Sequence, residues 1–168
     1  MLIESFPPLI AEHCKVLVLG SMPGEESLRR QQYYAHPRNA FWPIMQQIFG
    51  WHETTYELRS HQLVTSGVAV WGVLQRCTRS GSLDASIDPK SIEVNDFDRL
   101  LNRYSAINSV FFNGGTAAKV FNKNVLPKLS GDLLHLSYQQ LPSTSPAHAA
   151  MTLNQKTAAW KVLLEKLV

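Results

Sequence analysis

The stretch "CKVLVLG", Cys14 to Gly20, decides how the rest of the chain must be read. Val16, Leu17, Val18 and Leu19 leave no polar alternation, and the run stops at a glycine, which suits a strand buried on both faces. A strand with no wet face needs cover above and below. Downstream, "GVAVWGVL" (Gly67–Leu74) and "INSVFFNGG" (Ile107–Gly115) repeat the pattern, and "LLHLSYQQL" (Leu133–Leu141) supplies a fourth strand.

Helical periods fall between these runs. Asn39 to Phe49 carries Phe41, Met45, Ile48 and Phe49 on one face, with Pro43 in the first turn and Gly50 just past the end. That leaves Ser21 to about Arg38 as a loop. Tyr56 to Thr65 reads as a second helix, and "NDFDRLLNRY" as a third in which Asn95 caps a face of Phe97, Leu100, Leu101 and Tyr104. "TAAKVFNKNVLPKL" is helical until Pro127, and Thr152 to Leu167 forms an amphipathic helix with Leu153, Trp160, Leu163, Leu164 and Leu167 inward. Strand and helix alternate throughout. Parallel neighbours need long crossovers, so the expected fold is α/β: a three-layer α/β/α sandwich on a short, mostly parallel four-stranded sheet.

With 168 residues, 45% of them hydrophobic, the chain can bury one core, so residues 1–168 are expected to form a single domain and a monomer. The net charge of +3 and pI near 9.0 come from dispersed Lys and Arg, which permits a nucleic-acid partner without requiring one. Cys14 and Cys77 lack the spacing of a zinc or iron-sulfur site, and no metal or cofactor is expected. The opening "LIESFPPLIAEHCK" is not a signal peptide and no run reaches transmembrane length, so a cytosolic protein without membrane contact is expected.

Ligands of an open parallel sheet bind beyond the carboxyl ends of its strands. Each expected strand runs into an unusual segment there: "GSMPG", "RCTRSGS", "NGGT" and "LPSTSPAHA". "GSMPG" (Gly20, Ser21, Met22, Pro23, Gly24) reads equally as a tight turn; it lacks the lysine of a P-loop and the spacing of GxGxxG. Ser143, Ser145 and His148 raise a serine hydrolase, but no GxSxG elbow is present, and such serines also serve as turn formers and phosphate contacts. In "QYYAHPRNAFWP" (Gln32–Pro43), Phe41 and Trp42 begin an apolar helical face, whereas Tyr33 and Tyr34 fit either core or site. A lone loop histidine such as His36 is commonly structural, and Asn39 also fits a helix N-cap.

"VLVLGSMPG", "YYAHPRNAFWPIM", "SVFFNGGTAAKVF" and "LPSTSPAHA", in this order over nearly the whole chain, resemble the uracil-DNA glycosylase superfamily and in detail its hypoxanthine-DNA glycosylase branch. The resemblance implies a monofunctional DNA glycosylase that flips a deaminated base, hypoxanthine before uracil, out of DNA and hydrolyses its N-glycosidic bond without metal or lysine chemistry. It implies that Tyr34 stacks on the base and that Asn39 positions the water, since Met22 stands where relatives carry a water-orienting Asn or Asp. "GSMPG" backbone N–H groups and His148 would stabilise the leaving base, with His36 and Asn113 also near it. Ser143, Thr144 and Ser145 would grip the DNA backbone. Where the branch usually reads Trp-Asp-Val, this chain has Trp71-Gly72-Val73, which bears on the choice of base. A mismatch-specific uracil/thymine glycosylase and a non-catalytic damaged-DNA-binding module on the same fold are the alternatives.

Overall fold

The computed structural model describes residues 1–52 and 54–168. In chain order the elements are β1 (Leu2–Glu4), β2 (Val16–Gly20), α1 (Glu25–Arg30), α2 (Phe41–Phe49), α3 (Tyr56–Thr65), β3 (Val68–Gly72), β4 (Leu74–Thr78) and β5 (Glu93–Val94). Then follow α4 (Phe97–Arg103), β6 (Ser109–Asn113), α5 (Gly115–Asn124), β7 (Ser137–Leu141), α6 (Leu153–Trp160) and α7 (Val162–Leu167). The four expected strands form one parallel sheet in the order β3-β2-β6-β7.

Both faces of that sheet are covered, as the unbroken apolar run of β2 requires. Leu17 and Leu19 face one core with Phe97, Leu100, Leu101, Ala117 and Phe121 of α4 and α5. Val16 and Val18 face the other, with Phe41, Ile44 and Met45 of α2, Leu63 of α3, Trp160 of α6 and Leu163 of α7. The three layers are those read from the sequence.

Several boundaries differ. The segment Ser21–Arg38, expected to be loop, contains α1, whose Glu25 and Glu26 at the start and Arg29 and Arg30 at the end suit the helix dipole. Helix α2 begins at Phe41, two residues later than expected. The run Gly67–Leu74 is divided: β3 ends at Gly72, and β4 turns off to form a separate antiparallel sheet, β1-β4-β5, absent from the sequence reading. Asn95 does not cap α4. Asp96 does, accepting the Arg99 N–H at 3.1 Å, while the buried Asn95 amide donates to the Gly72 carbonyl at 2.8 Å.

Helix α5 ends at Asn124, and Pro127 sits in a short 3-10 turn beyond it. The start of Leu133–Leu141 is likewise a 3-10 turn, and β7 proper begins at Ser137. The C-terminal helix breaks at Lys161 into α6 and α7. Two short helices present narrower stripes than one long helix, so Leu153 and Leu164 are exposed while Trp160 and Leu163 are fully buried.

Candidate active site

From β2 the chain moves to β3 on one side and later to β6 on the other, so the strand order reverses at β2. A cleft of about 880 Å³ opens beyond the carboxyl ends there, as expected for a topological switch point. Gly20, Gly72 and Asn113, the last residues of β2, β3 and β6, all line it.

The Gly20–Gly24 segment is held from several directions. The Gly20 and Ser21 carbonyls accept the N–H groups of Val73 and Leu74 at 2.8 and 3.1 Å. Met22 is buried with Leu74 and Cys77 in a small apolar cluster, so it anchors the segment while lining the cleft. A Cβ on Gly20 would lie 3.1 Å from the Tyr34 hydroxyl, which explains the absence of a side chain at that position.

The four aromatic side chains of the motif loop divide between core and cleft. Tyr33 is buried, donates its hydroxyl to the Pro7 carbonyl at 2.8 Å, and accepts the Trp42 indole N–H on its own carbonyl at 2.9 Å. Phe41 is fully buried and Trp42 nearly so. Tyr34 forms part of the cleft wall together with an edge of Tyr33: its φ of 55° is left-handed and its ring stacks on Phe41 at 4.2 Å. Burial pushes its hydroxyl up to about 12, with the neighbouring Asn113 amide acting in the opposite direction.

His36 accepts the Arg38 N–H on Nδ1 at 3.1 Å, so the neutral ring carries its proton on Nε2. Asn39 accepts the Phe41 N–H on Oδ1 at 2.9 Å, closing an Asx turn just ahead of α2, whose N-cap is Ala40 and not Asn39 as its position suggested. A carbonyl oxygen has two lone pairs, so one remains along with the Nδ2 donors. Both residues line the cleft.

The opposite wall is the segment after β7. Asn113 and Thr144 form a reciprocal pair: Nδ2 donates to the Thr144 hydroxyl and Oδ1 accepts the Thr144 N–H, each at 2.9 Å. The Thr144 carbonyl accepts the Ala40 N–H at 2.9 Å, joining this wall to the start of α2. Thr144 is 1% exposed, so its hydroxyl holds the loop rather than facing outward. Ser143 and Ser145 accept the N–H groups of Ser145 and Ala147, leaving each hydroxyl proton available to an acceptor such as a phosphate oxygen. Below them, Trp160 donates to the Pro142 carbonyl at 2.9 Å and Lys156 to the His148 carbonyl at 2.8 Å. His148 completes this side.

The segment after the second strand supplies residues that its local sequence does not mark individually. Arg79, 3% exposed, donates to the carbonyls of Pro23 and Gly81 at 2.7 and 2.8 Å. Burial lowers its affinity for its proton, opposed by Cys77, Asp84 and Glu25. Ser82 accepts the Glu25 N–H at 2.8 Å, and Asp84 accepts the Ser21 hydroxyl at 2.7 Å. Ser82, Leu83 and Asp84 all line the cleft. The readable signal was the density of Arg, Ser, Gly and Asp in a loop beyond a strand end. Arg29 and Arg30 are paired with Glu26 on α1.

A cleft at this switch point, walled by an aromatic-amide loop and a serine-proline loop, lies where open parallel α/β proteins take their ligands. The chain belongs to the uracil DNA glycosylase superfamily, whose description matches residues 7–167. It is 36% identical over 113 residues to the hypoxanthine DNA glycosylase of Methanosarcina barkeri, covering 66% of this chain and 70% of that protein. It is 32% identical over 141 residues to the hypoxanthine DNA glycosylase of Methanosarcina acetivorans, covering 78% and 88%. A solution NMR structure of a protein from Methanosarcina acetivorans, provisionally assigned as a uracil DNA glycosylase, superposes with a TM-score of 0.81 at 28% identity over 99% of both chains.

Proposed function

We propose that this protein is a monofunctional DNA glycosylase that takes a deaminated base, hypoxanthine in preference to uracil, out of DNA and hydrolyses its N-glycosidic bond. The observation that carries this reading is the placement of Asn39 and Tyr34 in one cleft, on a loop fixed to both neighbouring walls. Unstacking a base costs roughly a few kcal/mol, and an aromatic surface returns roughly 1–3. Tyr34 is the aromatic group for that purpose, its orientation set by Phe41.

Breaking the bond builds positive charge on the sugar and negative charge on the departing base. The chemistry therefore needs an oriented water and donors aimed at the base more than it needs a strong proton acceptor. Asn39 positions the water. His148 and the N–H groups of the Gly20–Gly24 segment stabilise the leaving base; Pro23 has no N–H and serves through its carbonyl, held by Arg79. His36 can offer Nε2–H to the base edge, and Asn113 supports the site through Thr144 and Tyr34. Ser143 and Ser145 donate to phosphates flanking the flipped nucleotide, with Thr144 shaping the loop that carries them.

The test is a panel of labelled duplexes, each with one inosine, uracil, xanthine or G·T mismatch, treated with alkali after incubation. Cleavage only after alkali, strongest for inosine, is the expected result. An intact glycosidic bond in every duplex, alongside tight binding to inosine DNA, would instead make the protein a damage-binding module.

A further inference from the structure

The Ser21–Asp84 contact joins two cleft-lining residues that are 63 positions apart in sequence. Around it, the paired ends of β2 and β3 are Gly20 and Gly72, neither of which has a side chain to offer. Ser21 is the first polar side chain beyond them. An ionised carboxylate can only accept, and a serine hydroxyl has one proton and two lone pairs. At 2.7 Å from Asp84 Oδ1, the single Ser21 proton is already committed. What Ser21 can still offer a ligand is an acceptor.

We propose that Asp84 fixes the Ser21 hydroxyl as a hydrogen-bond acceptor in the cleft, so that Ser21 favours bases presenting a ring N–H over bases presenting a bare ring nitrogen. This rests on the glycosylase reading above and gives it a selection rule. Deaminating adenine turns N1 from an acceptor into N1–H, and deaminating cytosine does the same at N3. One fixed acceptor therefore separates the products of deamination from both parents. A freely rotating serine would not, because it could donate to adenine N1 as readily as it accepts from hypoxanthine N1–H.

The loop carrying Asp84 is built for a fixed position. Arg79 ties its start to the Pro23 carbonyl, and Ser82 ties its middle to the Glu25 N–H, so the Ser21 contact is one of three between this loop and the segment after β2.

The experiment compares binding of the intact protein to two duplexes that differ only in the target base, hypoxanthine or adenine, each opposite an abasic analogue so that base pairing does not bias the result. A 2′-fluorine on the target sugar, which disfavours positive charge there, keeps the glycosidic bond whole. Wild type should prefer hypoxanthine. Ser21→Ala should weaken hypoxanthine binding by about tenfold to a hundredfold. Asp84→Ala should act differently, strengthening adenine binding by about tenfold while largely retaining hypoxanthine binding. A merely structural loop contact would weaken both duplexes alike. No preference in the wild type, or an unchanged preference in Asp84→Ala, overturns the inference. Wild-type preference without cleavage of an ordinary inosine duplex would overturn the catalytic reading alone.

Discussion

The Asn39 amide carries the Phe41 N–H on one lone pair and, in the proposed mechanism, a water with what remains. Asn39→Ala should therefore cost about 0.5–1.5 kcal/mol of stability for the lost hydrogen bond. It should also slow single-turnover cleavage by roughly a hundredfold or more. Asn39→Asp keeps the oxygen that accepts the Phe41 N–H, so urea denaturation should place it near wild type and separate the two roles. Gly114 makes a different demand: its φ is 95°, and a Cβ would lie 2.9 Å from that of Ser143. Gly114→Ala should destabilise the protein by about 1–3 kcal/mol in the same assay, with the Ser143 loop displaced. Residues on the motif loop were readable because Tyr34, His36 and Asn39 lie within a few positions of one another. Asp84 and Arg79 were not, because their partners Ser21 and Pro23 are 63 and 56 positions away and ordinary loop composition carries no mark of such a pairing.

Among the elements, α1 is held by its charges. Glu26 bonds Arg29 and Arg30, which hold its carboxyl down to about 2 against an ordinary 4.5. A depressed carboxylate contributes fully above pH 4.5, and the contribution is lost as pH falls toward 2. Hydrogen-exchange protection factors in α1, corrected for the intrinsic pH dependence of amide exchange, should therefore fall across that window at low salt, and Glu26→Gln should remove that fall. The loop after β7 depends instead on α6. Lys156→Met removes the bond to the His148 carbonyl and should speed exchange at residues 143–148 while raising the DNA concentration needed for half-saturation. The four parallel strands and the principal helices were legible because their apolar runs are long enough to show a period. The three-residue β1, the two-residue β5 and the six-residue α1 are too short for that. The separation of β4 from β3 depends on long-range pairing with β1, which leaves no local trace.

At the scale of the molecule, the layers follow from β2 needing cover on both faces, and the cleft follows from the strand order reversing there. Its aromatic side sets an alkaline limit. Burial raises Tyr33, Tyr34 and Tyr56 above the ordinary 10, so the stability tied to their protonated forms is present below pH 10 and lost as pH climbs past it, through about 12 for Tyr34. Denaturation midpoints should fall across that range in step with tyrosinate absorbance. The small sheet has a separate consequence. Strand β1 pairs with β4, and the Met1 carbonyl accepts the Arg79 N–H at 3.0 Å, so the first residues brace the loop that brings Asp84 to Ser21. A purification tag, a fused domain or a trimmed start would pull on that brace, and discrimination between bases could drift without any change to a residue in contact with DNA.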